Sequence, residues 1–201
     1  VVQAQEQVSG TLDLTYQSAY MFRGYDMYAG KHGEGAIQPS LDLDLGNGFG
    51  FYTLMSRANT SDYENKEWFN YRLYYGDSMM MDQPCQTDWQ VGFNYFNFPD
   101  MSDNVADMQE AYGKFSWPNM FENGVIPYYG VYRSWPSQSS SVAASDAGGW
   151  MHQLGMKFDW TMEGMTADMP ETVVTMMAEV WHNGSAWGHL NNLLATGASD
   201  V

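Results

Sequence analysis

The sequence predicts an all-β fold, an antiparallel transmembrane β-barrel of about ten to twelve strands, on three observations. Apolar and polar residues alternate with period two through segment after segment of about ten residues, and helical periodicity is almost absent. The apolar parity is dominated by Tyr, Trp and Phe, as where a hydrocarbon-facing band ends in aromatic girdles. The connections differ in kind, from the tight Gly46-Asn47-Gly48 to the long small-residue stretch "SQSSSVAASDAGG" (137–149), matching the short turns and long loops of the two ends of an outer-membrane barrel.

The first segment runs from Thr11 to Arg23, with Leu12, Leu14, Tyr16, Ser18, Tyr20 and Phe22 on one parity and Asp13, Thr15, Gln17 and Arg23 on the other. The second, residues 38–57, sets Leu41, Leu43 and Leu45 against Asp42 and Asp44. It turns at Asn47-Gly48, a pair that tolerates the positive φ angles of a tight hairpin. Aromatic-rich candidates follow at 66–76, 88–98, 108–117 and 124–135. Two more lie at 149–160 and 171–181, and a weaker one at 186–196, giving nine or ten in all. Residues 1–9 read as an N-terminal extension, within which Val2-Gln3-Ala4 has the small-residue spacing of a signal-peptide end; residues 10–201 read as one barrel domain.

Composition narrows the function. Charged residues are 16% of the 201, below the roughly one quarter of a soluble globular domain, so part of the surface is expected to face something other than water. A net charge of −16, with the 8 Lys and Arg scattered singly, argues against nucleic-acid binding. No apolar run is long enough for a membrane helix, but a spanning strand needs only about 9 to 11 residues. The single Cys85 allows no intramolecular disulfide. His32, His152, His182 and His189 sit in no nucleophile-base or metal-ligand spacing, so no catalytic residue and no cofactor is expected. Met79-Met80-Met81 with Cys85 could offer soft sulfur ligands, yet nothing fixes their geometry, and methionines serve more often as apolar filler; no metal is assigned.

The charges inside the strand segments fall largely on the parity opposite the apolar one. Arg23, Asp42, Asp44, Arg72, Glu110, Lys114, Arg133, Lys157, Asp159 and Glu179 are therefore the expected lumen-lining set. A cation facing lipid at mid-depth costs roughly 2–4 kcal/mol, so such groups should turn inward and meet partners there. Arranged as a basic wall and an acidic wall, they would set a transverse field at a constriction. They would serve equally as an internal network that stabilises a narrow barrel.

"SAYMFRGYDM" (18–27) followed by "GAIQPSLDLDLGNGFGFYTLMS" (35–56) resembles the N-terminal pattern of the TorF-like porin family: a strand ending in aromatic-Arg-Gly, a variable loop, a second strand and a glycine hairpin. The likeness continues through "EWFNYRLYYG", "WQVGFNYFNFPD" and "QEAYGKFSW", covering roughly residues 10–135. It implies an outer-membrane barrel of a Gram-negative envelope that passes small solutes and has no catalytic residues. Such barrels finish on a strand with a terminal aromatic, whereas residues 195–201 read "ATGASDV", so one or more closing strands are expected to be missing from this chain. The expected function is passive diffusion of small hydrophilic solutes or ions with a weak cation preference, the partner being membrane lipid. The alternatives are a non-conducting barrel that packs against other envelope proteins or copies of itself, and a soluble β-sandwich that binds sugar through its aromatic faces.

Overall fold

The computed structural model describes residues 8–23, 25–28, 35–59, 67–99, 107–137, 148–162, 171–184 and 186. Nine long strands form one antiparallel sheet that curls into a half-barrel. They are β1 (Ser9–Gln17), β4 (Ala36–Gly46), β5 (Phe49–Ala58), β6 (Trp68–Met79), β7 (Thr87–Asn97), β8 (Met108–Ser116), β9 (Ile126–Pro136), β10 (Gly149–Met162) and β11 (Thr172–Gly184). The remaining two, β2 (Met21–Phe22) and β3 (Tyr25–Asp26), form a hairpin of their own. Every neighbour in the large sheet is the next long strand in the chain, the up-and-down order that short connections dictate. Among the described residues β1 and β11 each pair on one side only.

The predicted strands fall close to the observed ones; the segment at 186–196 lies, apart from Ala186, outside the described residues. At the Asn47-Gly48 turn both residues take positive φ (54° and 81°), and the adjoining register shift between Asp44 and Gly46 is a bulge that Gly46 accommodates at φ 88°. The tight turn and the connections at 80–86 and 117–125 lie at one end of the sheet, called here the short-turn end.

One expectation fails. The segment 11–23 is not a single strand, because the chain leaves the sheet after Gln17, bends at Ser18-Ala19 and folds back over the concave face as the β2–β3 hairpin. The amide of Met27 donates to the carbonyl of Tyr20 (3.0 Å), and Arg23, at the hairpin tip, takes φ 53°. Burial drives this departure. Tyr20, Met27 and Tyr28 enter a core with Trp68, Phe96, Phe98 and Met108, and Phe22 packs against it. Phe22 stands 5.4 Å from Trp68 and 6.0 Å from Phe96 between ring centroids. Removing one such side chain from water contributes roughly 1.5–3 kcal/mol, which an unbroken outward strand would forgo. Burial also raises the phenol pKa of Tyr20 and pushes that of Tyr28 up to about 12, so both stay neutral donors through the ordinary pH range.

The convex face is apolar and uncovered. Across its middle a row of paired residues runs Leu43, Phe51, Leu73 and Phe93, and Leu73 is 58% exposed. Leu12, Leu14, Leu154, Met156 and Val180 extend the same face and are exposed. Toward the short-turn end it carries Phe49, Tyr75 and Trp89, with Phe49 and Tyr75 in ring contact at 4.7 Å. Toward the other end it carries Tyr71, Tyr95 and Trp135, whose indole donates to Gln109 Oε1.

Candidate lumen site

The concave face is built in cross-strand rows, because antiparallel partners point to the same side. The central row is Asp42, Tyr52, Arg72, Asn94, Glu110 and Ser134, one residue from each of β4 to β9. It contains three of the ten predicted lumen charges. A fourth arrives from above, for the tip of the β2–β3 hairpin delivers Arg23 onto Glu110.

That ion pair is the centre of the site. Arg23 Nη1 and Nη2 donate to Glu110 Oε2 and Oε1 at 2.5 and 2.6 Å, a two-pronged contact between side chains 8% and 0% exposed. Glu110 also accepts from Asn94 Nδ2 (2.9 Å) and Ser134 Oγ (2.8 Å), so a carboxylate removed from water is surrounded by donors. The guanidinium lies within 4.5–5.7 Å of the rings of Phe22, Phe96, Tyr132 and Trp181, an aromatic enclosure whose faces attract a cation.

Next to it, Arg72 Nε donates to Asn94 Oδ1 (2.9 Å), and its guanidinium carbon lies 4.8 Å from the Tyr52 ring. Asp42 accepts the Tyr74 hydroxyl at 2.8 Å, and Asp44, at the turn, accepts the Gly46 amide at 2.9 Å. Lys114 sits two positions along β8 from Tyr112, with Nζ 5.4 Å from that ring. On β11, Glu179 accepts from Trp181 Nε1, Gln153 Nε2 and Tyr128 Oη. Lys157 and Asp159 pair with each other at 2.7 Å in partly exposed positions at the short-turn rim, and Asp159 also accepts from Thr175.

Arg133 does not join them, which corrects the expected set. Its neighbours on β9, Tyr132 and Ser134, are buried on the concave side, so Arg133 stands on the convex side, over the ring of Trp150 at 5.9 Å and donating to the Ser134 carbonyl. Near the end of its strand it keeps its long stem along the apolar surface beside Trp150. The Met80–Cys85 sulfurs, 3.3 Å apart, lie on the exposed turn between β6 and β7, outside this row.

Lumen tyrosines are the part that sequence reading missed. Tyr74 lies flat on Gly50 of the adjacent strand, where an added Cβ would fall within 2.5 Å of three of its ring and hydroxyl atoms; Tyr128 covers Gly155 in the same way. Glycine on the polar parity opposite a tyrosine is the signal, visible only once the register is known. Gly50→Ala is expected to displace the Tyr74 ring from Asp42 and destabilise the fold by about 1–3 kcal/mol, the range for overpacking. Gly113→Ala, whose Cβ would meet only ordinary contacts at 3.7 Å or more, should change little. Urea unfolding midpoints of the two variants check this.

Comparison with protein-family models, with curated proteins and with solved structures returns no match for this chain, so its reading rests on this geometry.

Proposed function

We propose that the chain forms the wall of a Gram-negative outer-membrane β-barrel that passes small hydrophilic solutes, its convex face against lipid and its concave face lining the lumen. The observation that carries the reading is the contrast between the two faces. One exposes a continuous belt of Leu, Phe, Met and Val with aromatics at both ends; the other gathers Asp42, Arg72, Glu110 and Lys114. An apolar surface of this extent in water would drive association, whereas in a bilayer it is the required surface. The resemblance to TorF-like porins points the same way. In this reading the edges of β1 and β11 are paired in the membrane, since unpaired strand groups in hydrocarbon cost several kcal/mol each.

The inward hairpin is then the narrowing element, held by Arg23 and Glu110, and the row from Asp42 to Glu110 sets the field at the narrowest level. A second reading, a plugged and silent structural barrel, is favoured by the aromatic core that Tyr20, Met27 and Tyr28 build on the same face. Planar-bilayer recording separates them. Stepwise conductance that rises when Arg23→Ala loosens the hairpin supports a porin, and a barrel that inserts but stays silent in both forms supports the plug.

A further inference from the structure

A cavity of about 680 Å³ opens on the concave face toward the short-turn end, beyond the Arg23–Glu110 level, and two opposite charges on its wall lack ionic partners. Lys114 on β8 and Glu179 on β11 both line it. Among the described residues the ion pairs within 4.0 Å are Arg23–Glu110, Arg57–Glu67 and Lys157–Asp159, and neither Lys114 nor Glu179 belongs to one.

The basic side of the cavity is short of an anion. The Lys114 ammonium has no hydrogen-bond acceptor among the described residues, and its near neighbour across the Tyr112 ring is another cation, Arg72, 5.6 Å from the same ring. Gln90, paired with Lys114 across β7 and β8, spends its Oε1 on the Tyr112 hydroxyl, which leaves its NH₂ group to donate into the cavity. Glu179 faces Lys114 across the cavity, beyond ion-pair distance, and forms no ion pair among the described residues. Glu179 accepts three hydrogen bonds, all from neutral donors, and a carboxylate has about four acceptor positions. Asp88 lies on the Lys114 side, two residues from Gln90 on β7, and among the described residues accepts from Ser78 and Gln86.

From these groups we infer that the cavity binds a small zwitterion, its carboxylate on Lys114 and Gln90 and its ammonium on Glu179. A simple anion would satisfy Lys114 but meet the repulsion of Glu179 and Asp88, and a simple cation would meet the converse. Only a ligand carrying both charges, an amino acid or short peptide with free ends, relieves both at once. The site needs no current to flow through it, so a silent protein would leave it standing.

Isothermal titration of the full chain purified in detergent tests this, with glycylglycine as probe and acetate and methylammonium as its single-charge counterparts. Glycylglycine is expected to saturate one site, with each counterpart at least tenfold weaker. Lys114→Met and Glu179→Gln should each weaken glycylglycine at least tenfold, Lys114→Arg should retain binding, and Arg57→Met, whose ion pair with Glu67 lies at the opposite end of the sheet, should leave it unchanged. No saturable binding to the unaltered protein, acetate binding as tightly as glycylglycine, or full binding by Lys114→Met would overturn the assignment.

Discussion

Arg23→Met is expected to destabilise the protein by roughly 3–5 kcal/mol, the cost of leaving one member of a buried ion pair without the other. Glu110 is fully buried, and with Arg23 gone it keeps only the neutral donors Asn94 and Ser134. The loss does not stop at the charge. The guanidinium is also what the rings of Phe22, Phe96, Tyr132 and Trp181 enclose, so the β2–β3 hairpin loses its anchor. Arg23→Lys should recover only part, because an ammonium cannot make the two parallel bonds to both Glu110 oxygens. Combining Arg23→Met with Glu110→Leu should cost far less than the two single changes summed, since replacing both members removes the uncompensated charge. Urea denaturation of all four proteins gives the coupling energy, and strict additivity would show that the pair contributes nothing specific.

Leu73→Arg carries the second large effect, and its sign depends on what the convex face touches. Leu73 lies in mid-strand between Phe51 and Phe93 and is more than half exposed. Facing water, an arginine there would be nearly neutral or would improve solubility. Facing the middle of a bilayer, it costs roughly 2–4 kcal/mol and slows insertion. Folding into phospholipid vesicles is expected to fail or to show a midpoint shift of that size, while Gln83→Arg on the exposed 80–86 turn should fold as the unaltered chain does. Equal folding of both would place Leu73 in water.

Much of this architecture is legible in the residues. Alternation in 88–98 gives β7 almost to the residue, and Asn47-Gly48 gives the β4–β5 turn, because both signals are local. Arg23 reads as inward-facing and in need of a carboxylate, but which carboxylate does not follow. Glu110 is 87 positions away, and the pairing depends on how the hairpin folds back across five strands. The break after Gln17 is hidden because the apolar parity continues through Tyr20 and Phe22; a bend costs little in sequence and inverts what parity means beyond it. Arg133 misleads for a different reason. In "YYGVYRSW" tyrosine occurs on both parities, and the lumen uses Tyr128 and Tyr132 for the hydrogen bonds to Glu179 and Gln153, so aromatic content no longer marks the outside. The cavity charges Lys114 and Glu179 are legible as lumen candidates, yet their lack of ionic partners emerges only from the register of β8 to β11.

The claim on which the rest depends is that the two faces of the sheet meet different media. Single-cysteine spin labels placed in turn at positions 152–158 of β10, in a Cys85→Ser background reconstituted in phospholipid vesicles, read this directly. The expected result is a period of two: labels at 152, 154, 156 and 158 accessible to dissolved oxygen and shielded from a water-soluble nickel chelate, with those at 153, 155 and 157 showing the reverse or neither. Uniform access of the chelate to Leu154, Met156 and Phe158 would contradict it and return the convex face to water.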